Sequence, residues 1–133
     1  MKKNCFDGKI WGIGGKMIKE IKIGGHIFKV LCPYMFKESV AIKGQCDTDL
    51  NEIRLKAIDG CGNNLAKSTL EVIFIHEILH AVDIVYNNDS LNEDAINHLA
   101  EGLYQVLKDN YNFSFWKERR DKWLINLGLI INS

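Results

Sequence analysis

The chain has 133 residues, of which 47% are apolar and 26% are charged. This length and composition are typical of one folded domain, and they exclude a disordered or low-complexity chain. Lysine plus arginine and aspartate plus glutamate both number 17, so the formal net charge is zero. Nucleic acid is therefore disfavoured as a partner, because proteins that bind the phosphate backbone usually carry a basic excess.

The cysteines and the apolar runs bear on where the protein is found. No two of Cys5, Cys32, Cys46 and Cys61 form a Cys-x-x-Cys pair, which disfavours a zinc ribbon or a thioredoxin-like site. The first residues show no apolar run followed by a small-residue cleavage site, so we expect no secretory signal, free thiols and a cytoplasmic protein. No apolar run approaches the roughly 20 residues that cross a membrane, so we expect no membrane partner.

The first strand signals lie near the N-terminus. Residues 1–16 are rich in lysine and glycine without any period, and we interpret them as a loose lead-in. Residues 18–31 predict a β-hairpin, because apolar residues alternate on both sides of the Gly24-Gly25 turn. Further strands are predicted at residues 40–43 and 51–58, joined by a polar, turn-rich segment.

The second half of the chain predicts helices. Ser68-x-x-Glu71 has the pattern of a capping box, so a helix is expected to begin there and to end near Tyr86. A second helix is predicted at residues 91–107, and a last amphipathic helix at residues 116–127.

These elements predict an α+β fold. A small N-terminal β-sheet of about three to four strands is expected to pack on a helical C-terminal half. The helix at residues 68–86 should be central, because apolar residues occupy nearly every side of it. We expect a single domain over residues 1–133, with a core at residues 17–108 and a C-terminal extension at residues 109–133.

The predicted central helix carries His76-Glu77-Ile78-Leu79-His80, which matches H-E-x-x-H. Residues four apart on an α-helix lie about 40° apart around its axis, so both imidazoles can bind one ion from the same face. Imidazole suits Zn²⁺, and a catalytic zinc takes three protein ligands and leaves one position for water. We therefore expect His76 and His80 to ligate Zn²⁺ and Glu77 to act as a general base on that water.

A polar stripe crosses this otherwise apolar helix. It consists of Thr69, His76, His80, Asp83 and Asn87. Polar groups on a buried helix need partners or an open cleft, and a metal site meets both needs. The alternative is that the two histidines make ordinary hydrogen bonds. Asp83 either supports a ligand histidine from outside the metal shell or faces solvent near the helix end.

The third ligand is expected from the second helix or from the loop before it. The candidates are Asp89, Glu93, Asp94, His98 and Glu101. Glu93 lies at the edge of the apolar stripe that Ile96, Leu99 and Leu103 continue, where a carboxylate is costly unless it is paired or bound to metal. We therefore predict that Glu93 is the ligand. The alternative is a capping box formed by Ser90-x-x-Glu93.

Two motifs follow each other along the chain: His76-Glu77-x-x-His80 and then Asn92-Glu93-x-x-Ile96-Asn97-x-Leu99-Ala100. This order resembles the gluzincin group of metallopeptidases, in which a glutamate on a following helix completes a His-His-Glu site. The 13-residue spacing from His80 to Glu93 is similar to that of ImmA/IrrE-type peptidases of phages and mobile elements. The resemblance covers residues 17–108 and implies a zinc peptidase with a peptide or protein substrate, such as a regulatory protein.

Within that interpretation, the strand at residues 51–58 is expected to form the cleft edge and to bind an extended substrate by strand addition. Tyr86 and Tyr104 are candidate stabilisers of the transition state, although buried packing is the favoured role for both. An alternative function is a non-catalytic zinc-containing binding module of a mobile element, such as an antirepressor or a toxin–antitoxin partner. Such a module would not need a base at Glu77.

A nucleic-acid-associated factor is the other alternative. It would use Trp116 and Trp123 with a set of basic residues near them. The basic residues are Lys117, Arg119, Arg120 and Lys122. Glu118 and Asp121 interleave with these charges, and that pattern favours a solvated helix face over a nucleic-acid surface.

Overall fold

The computed structural model describes residues 16–39 and 41–117. Its elements are β1 (Lys16–Met17), β2 (Glu20–Ile23), β3 (His26–Leu31), β4 (Gly44–Asp47), β5 (Glu52–Leu55), α1 (Lys67–Tyr86), α2 (Glu93–Tyr111) and β6 (Trp116–Lys117). Four strands form a mixed sheet in the order β2-β3-β5-β4, and β1 pairs with β6. The predicted α+β class, with the sheet N-terminal and the helices C-terminal, is confirmed.

The β2–β3 hairpin forms where the sequence predicts it. The two strands pair antiparallel, and Gly24 and Gly25 connect them with φ of 58° and 83°. A two-residue turn of this hand needs positive φ at both positions, which glycine adopts without strain. A side chain at Gly24 would also collide with Val85, so the turn packs tightly against the end of α1.

The strand prediction for residues 40–43 is wrong over residues 41–43, and residue 40 lies outside the described residues. Residues 41–43 carry no strand, and β4 occupies part of the segment that was predicted to be turn-rich. The turn lies later because the Asp47 carboxylate accepts hydrogen bonds from the backbone N–H groups of Asp49 and Leu50, both at 3.0 Å. These bonds close a turn directly before β5, so the residues of β4 can pair with that strand.

The predicted strand at residues 51–58 is shorter than expected and occupies a different place. It is β5, which pairs parallel with β3 on one side and antiparallel with β4 on the other. Its backbone hydrogen-bonding groups are therefore used within the sheet. The edge strands of this sheet are β2 and β4, so the prediction that β5 forms the edge of a cleft is wrong.

The α1 helix lies between the sheet and α2, as its contacts with β2, β4, β5 and α2 show. The core between helix and sheet consists of apolar side chains from both: Ile23, Phe28, Val30, Ile53, Leu55, Leu70, Phe74 and Ile75. Burial of each large apolar side chain contributes about 1.5–3 kcal/mol, so this layer fixes the position of α1. The central place predicted for this helix is confirmed, although Val82 and Ile84 on its outer side face solvent.

The capping box predicted at Ser68 and Glu71 does not form. Ala66 precedes the first turn of α1, with no side-chain cap. Glu71 is instead fully buried, and its carboxylate accepts hydrogen bonds from the Tyr104 hydroxyl at 3.0 Å and the Phe115 backbone N–H at 3.4 Å. Glu71 thus joins α1, α2 and the segment after α2. Burial and Glu71 together raise the pKa of Tyr104 to about 12.

The α2 helix begins two residues later than predicted. Asn92 caps it by accepting the backbone N–H of Ala95 at 2.8 Å, and Asn112 ends it in the left-handed conformation. Only part of the predicted apolar stripe faces the core. Ile96 and Ala100 are buried, whereas three other members are largely exposed: Leu99, Leu103 and Val106.

The helix predicted at residues 116–127 is wrong at its start, because Trp116 and Lys117 pair with β1. Its remainder, like most of the predicted lead-in, lies outside the described residues.

Cys32, Cys46 and Cys61 are free thiols, and burial raises the pKa of both Cys32 and Cys46 to about 12. Neither α1 nor α2 is long and apolar enough to cross a membrane.

Candidate metal centre

Three side chains from the two helices meet at one point. His76 and His80 lie one turn apart on α1, and their Nε2 atoms are 3.1 Å apart. Glu93, the first residue of α2, places Oε1 2.8 Å from His76 Nε2 and Oε2 3.0 Å from His80 Nε2. The structure therefore brings together the three residues that the sequence predicts as metal ligands.

The donor set fits a zinc ion. Two imidazole nitrogens and one carboxylate oxygen are ligands that zinc takes in catalytic sites. Tetrahedral ligands at bond lengths of about 2.0–2.1 Å lie about 3.3 Å from each other. The two Nε2 atoms are 3.1 Å apart, and each lies 2.8–3.0 Å from a different oxygen of the Glu93 carboxylate, so these separations are close to that value. The Glu93 side chain is 61% exposed, so this side of the cluster is open to solvent, where a catalytic zinc would need room for water.

The alternative role of Glu93 as a helix cap is contradicted. Asn92 caps α2, and the Ser90 hydroxyl donates to the Asn87 carbonyl oxygen at 2.7 Å rather than forming a box with Glu93. The other candidates for the third ligand stay apart from the histidines: Asp89, Asp94, His98 and Glu101. Within residues 16–39 and 41–117, one group of three or more His, Cys, Asp or Glu side chains could hold a metal ion, and it consists of His76, His80 and Glu93.

The surroundings of His76 favour the neutral ring. Burial is the largest influence and lowers the pKa of His76, the nearby His80 lowers it further, and the Glu93 carboxylate opposes both. The pKa stays below its ordinary value. Neutral imidazole is the form that ligates a metal ion, so the site is ready to bind without first losing a proton from this ring.

Asn97 is a member of the site that the sequence reasoning missed. Its side chain lies within hydrogen-bonding reach of His76 and acts to raise the pKa of that ring. A hydrogen bond to a ligand histidine fixes both its orientation and its tautomer. The signal was present in the spacing, because Asn97 follows Glu93 by four residues and shares its helix face.

Glu77 is buried beside the cluster. Its side chain is 8% exposed, and its Oε2 atom lies 4.0 Å from His76 Nε2. Burial, and to a lesser extent the Glu93 charge, raises the pKa of Glu77 to about 7. A carboxyl group that titrates near neutrality can both accept and release a proton there, as a general acid–base group must.

Gly44 of β4 packs directly against Glu77. A Cβ atom at this position would lie 2.7 Å from Ile73 Cγ2 and 2.8 Å from Glu77 Oε2. Only glycine allows the edge strand to approach α1 so closely. The sequence reasoning did not predict this contact, although a glycine within a strand often marks a place where another group comes near.

The remaining predicted residues lie elsewhere. Asp83 is buried, and neither supports a histidine nor faces solvent. Its carboxylate accepts hydrogen bonds from the Asn87 amide and from the backbone of the α1–α2 connection. Tyr86 is largely exposed and Tyr104 is bound to Glu71, so the hydroxyl of Tyr104 is used in the fold rather than in the site.

Comparison with models of protein families, with curated proteins and with solved structures finds no match to this chain. The gluzincin resemblance therefore stays a prediction.

The Gly44 contact predicts that Gly44→Ala lowers the free energy of unfolding by about 1–3 kcal/mol, the usual cost of overpacking. The new methyl group must displace either the stiff Ile73 side chain or the Glu77 carboxylate. Denaturant unfolding measures the change. Gly102→Ala is the matched control, because nothing lies near that position in the middle of α2. It should stabilise the protein by about 0.5–1 kcal/mol. Equal effects of the two substitutions would contradict the close contact.

Proposed function

We propose that this protein is a zinc-dependent peptidase in which His76, His80 and Glu93 hold the metal ion and Glu77 is the general base. The supporting observation is the convergence of the three ligand atoms beside a buried glutamate. Bound zinc would polarise the scissile carbonyl and activate water for attack at neutral pH. The resemblance to gluzincins and to ImmA/IrrE-type peptidases supports the same activity, and the free thiols support a cytoplasmic setting.

Glu77 supplies the proton transfers. Its carboxylate takes a proton from the attacking water and then delivers it to the leaving nitrogen. Burial supports this role, because a poorly hydrated carboxylate binds a proton more strongly than a solvated one. His76 Nε2 lies 4.0 Å from Glu77 Oε2 and 2.8 Å from Glu93 Oε1, so Glu77 would lie close to a metal ion held by that nitrogen.

The edge strand β4 is the natural place for an extended peptide. Among the described residues, no strand pairs with its outer edge, so its backbone N–H and C=O groups can bind a further strand. Because Gly44 lies against Glu77, a peptide that pairs with β4 would pass the general base. We therefore propose a peptide or unfolded protein segment as substrate, bound mainly through its backbone.

Metal binding is the most direct consequence of this arrangement. The purified protein should bind one Zn²⁺ per chain, because its three ligand atoms converge on one point. Elemental analysis measures the stoichiometry, and competition with a chelator measures the affinity. Glu93→Ala and His76→Ala should each weaken binding at least about 100-fold, more than the loss of an outer hydrogen-bond partner usually costs.

Matched substitutions control for general effects on the protein. His98→Ala and Glu101→Ala remove the same side-chain types from exposed positions of α2 and should leave the zinc affinity unchanged. Protein that holds well under half an equivalent of zinc, and takes up none when zinc is added, would contradict the proposal.

A substitution of Glu77 separates catalysis from metal binding. Glu77→Gln should retain zinc and the fold but lower the cleavage rate at least about 100-fold, because the amide cannot accept a proton from water. Cleavage of a diverse peptide mixture, followed by mass spectrometry, provides a rate without a known substrate. Glu101→Gln should cleave like the natural chain. Equal rates for Glu77→Gln and Glu101→Gln would show that Glu77 is not the base. Zinc binding without any cleavage would favour the non-catalytic binding module.

A further inference from the structure

A connection of only six residues, 87–92, joins the two helices that share the metal centre. It is folded onto the buried carboxylate of Asp83. One oxygen of that carboxylate accepts the Asn87 side-chain amide at 2.9 Å and the Ser90 backbone N–H at 3.2 Å. The other oxygen accepts the Leu91 backbone N–H at 3.2 Å. Asp83 is 2% exposed, so these bonds are made almost entirely away from water.

The backbone of the same residue holds the start of the connection. The Asp83 carbonyl oxygen accepts the N–H groups of Asn87 at 2.8 Å and Asp89 at 3.0 Å. Asn88 and Asp89 both adopt positive φ, which turns the chain sharply at this point. Side chain and backbone of Asp83 together therefore fix the path of the chain from the end of α1 to Leu91.

Glu93 follows Leu91 by two residues, and Asn92 between them caps α2. The position of Leu91 consequently sets where α2 begins and where the Glu93 carboxylate lies relative to His76 and His80. We propose that Asp83 is a positioning residue of the metal centre, which holds Glu93 against the two histidines by fixing the α1–α2 connection. This inference rests on the proposed zinc site.

Asparagine is the sharpest replacement for Asp83. A carboxylate offers acceptor atoms on both oxygens, and the connection uses both of them. An amide has one acceptor oxygen, and its NH₂ group would face a donor of the connection instead. Asp83→Asn keeps the size of the side chain but loses at least one of the bonds that hold Ser90 or Leu91.

The experiment measures the zinc dissociation constant by chelator competition, at a temperature where circular dichroism shows each variant to be folded. Asp83→Asn should weaken zinc binding about 10–100-fold, the usual effect of losing an outer partner of a ligand. Asp109→Asn is the matched control. Asp109 accepts a hydrogen bond from Gln105 on the exposed face of α2, and its substitution should leave the affinity unchanged.

A double-mutant cycle shows whether Asp83 acts through Glu93. In the Glu93→Ala background, Asp83→Asn should change the zinc affinity by no more than about twofold, because the ligand that it positions is gone. An equal loss of affinity in both backgrounds would overturn the proposal, since Asp83 would then act on the histidines or on the fold in general. If Asp83→Asn does not fold, Asn87→Ala removes one bond of the same network and should show a smaller loss with the same dependence on Glu93.

The outcomes also separate this inference from the proposed function. A natural chain that binds no zinc overturns the proposed function and the inference together. A natural chain that binds zinc, with unchanged affinity in Asp83→Asn, overturns the inference alone.

Discussion

The contact of Glu93 with both His76 and His80 depends on how α2 packs against α1. The two histidines need nothing more than one helical turn between them, but the carboxylate must be brought to them by a second helix. Three features of the fold bring it there. The connection between the helices is short, Ile96 and Ala100 bury one face of α2, and Glu71 ties the far end of the helix pair through Tyr104. The site is thus set at both ends of the helix pair.

The same arrangement gives the centre two unlike sides. The Glu77 side lies against Gly44 of the edge strand and is buried, whereas the Glu93 side is open to solvent. Burial raises the pKa of Glu77 and lowers that of His76, so both groups tend towards their neutral forms. A bound cation opposes the first tendency and benefits from the second, because it favours a charged carboxylate nearby and needs a neutral imidazole.

The features that the sequence predicts correctly are those that depend on neighbouring residues along the chain. The H-E-x-x-H spacing places His76 and His80 on one helix face wherever that helix packs, and the Gly24-Gly25 turn dictates a hairpin by its backbone alone. Glu93 was predicted from its place at the edge of an apolar stripe, where an unpaired carboxylate would be costly, but its side chain is 61% exposed in the structure, so that reason does not hold. The predicted packing of that stripe against the core is also wrong in part, since Leu99 and Leu103 face solvent.

The errors arise where a short pattern competes with a distant partner. Ser68-x-x-Glu71 reads as a capping box, but the Glu71 carboxylate binds Tyr104 and Phe115, which lie far along the chain. The contact between Gly44 and Glu77 depends on the order of the strands in the sheet. The alternation of apolar and polar residues along one strand does not predict that order. Asp83 belongs to the same class, because its partners lie in a loop whose path the sequence pattern does not reveal.

The most direct test of the proposed zinc site is a crystal structure of the zinc-loaded protein, with diffraction data on both sides of the zinc absorption edge. We expect one anomalous peak, about 2.0–2.2 Å from His76 Nε2, His80 Nε2 and a Glu93 carboxylate oxygen. A peak at another place, or one whose third protein ligand is Asp89, His98 or Glu101 while Glu93 turns to solvent, would contradict it.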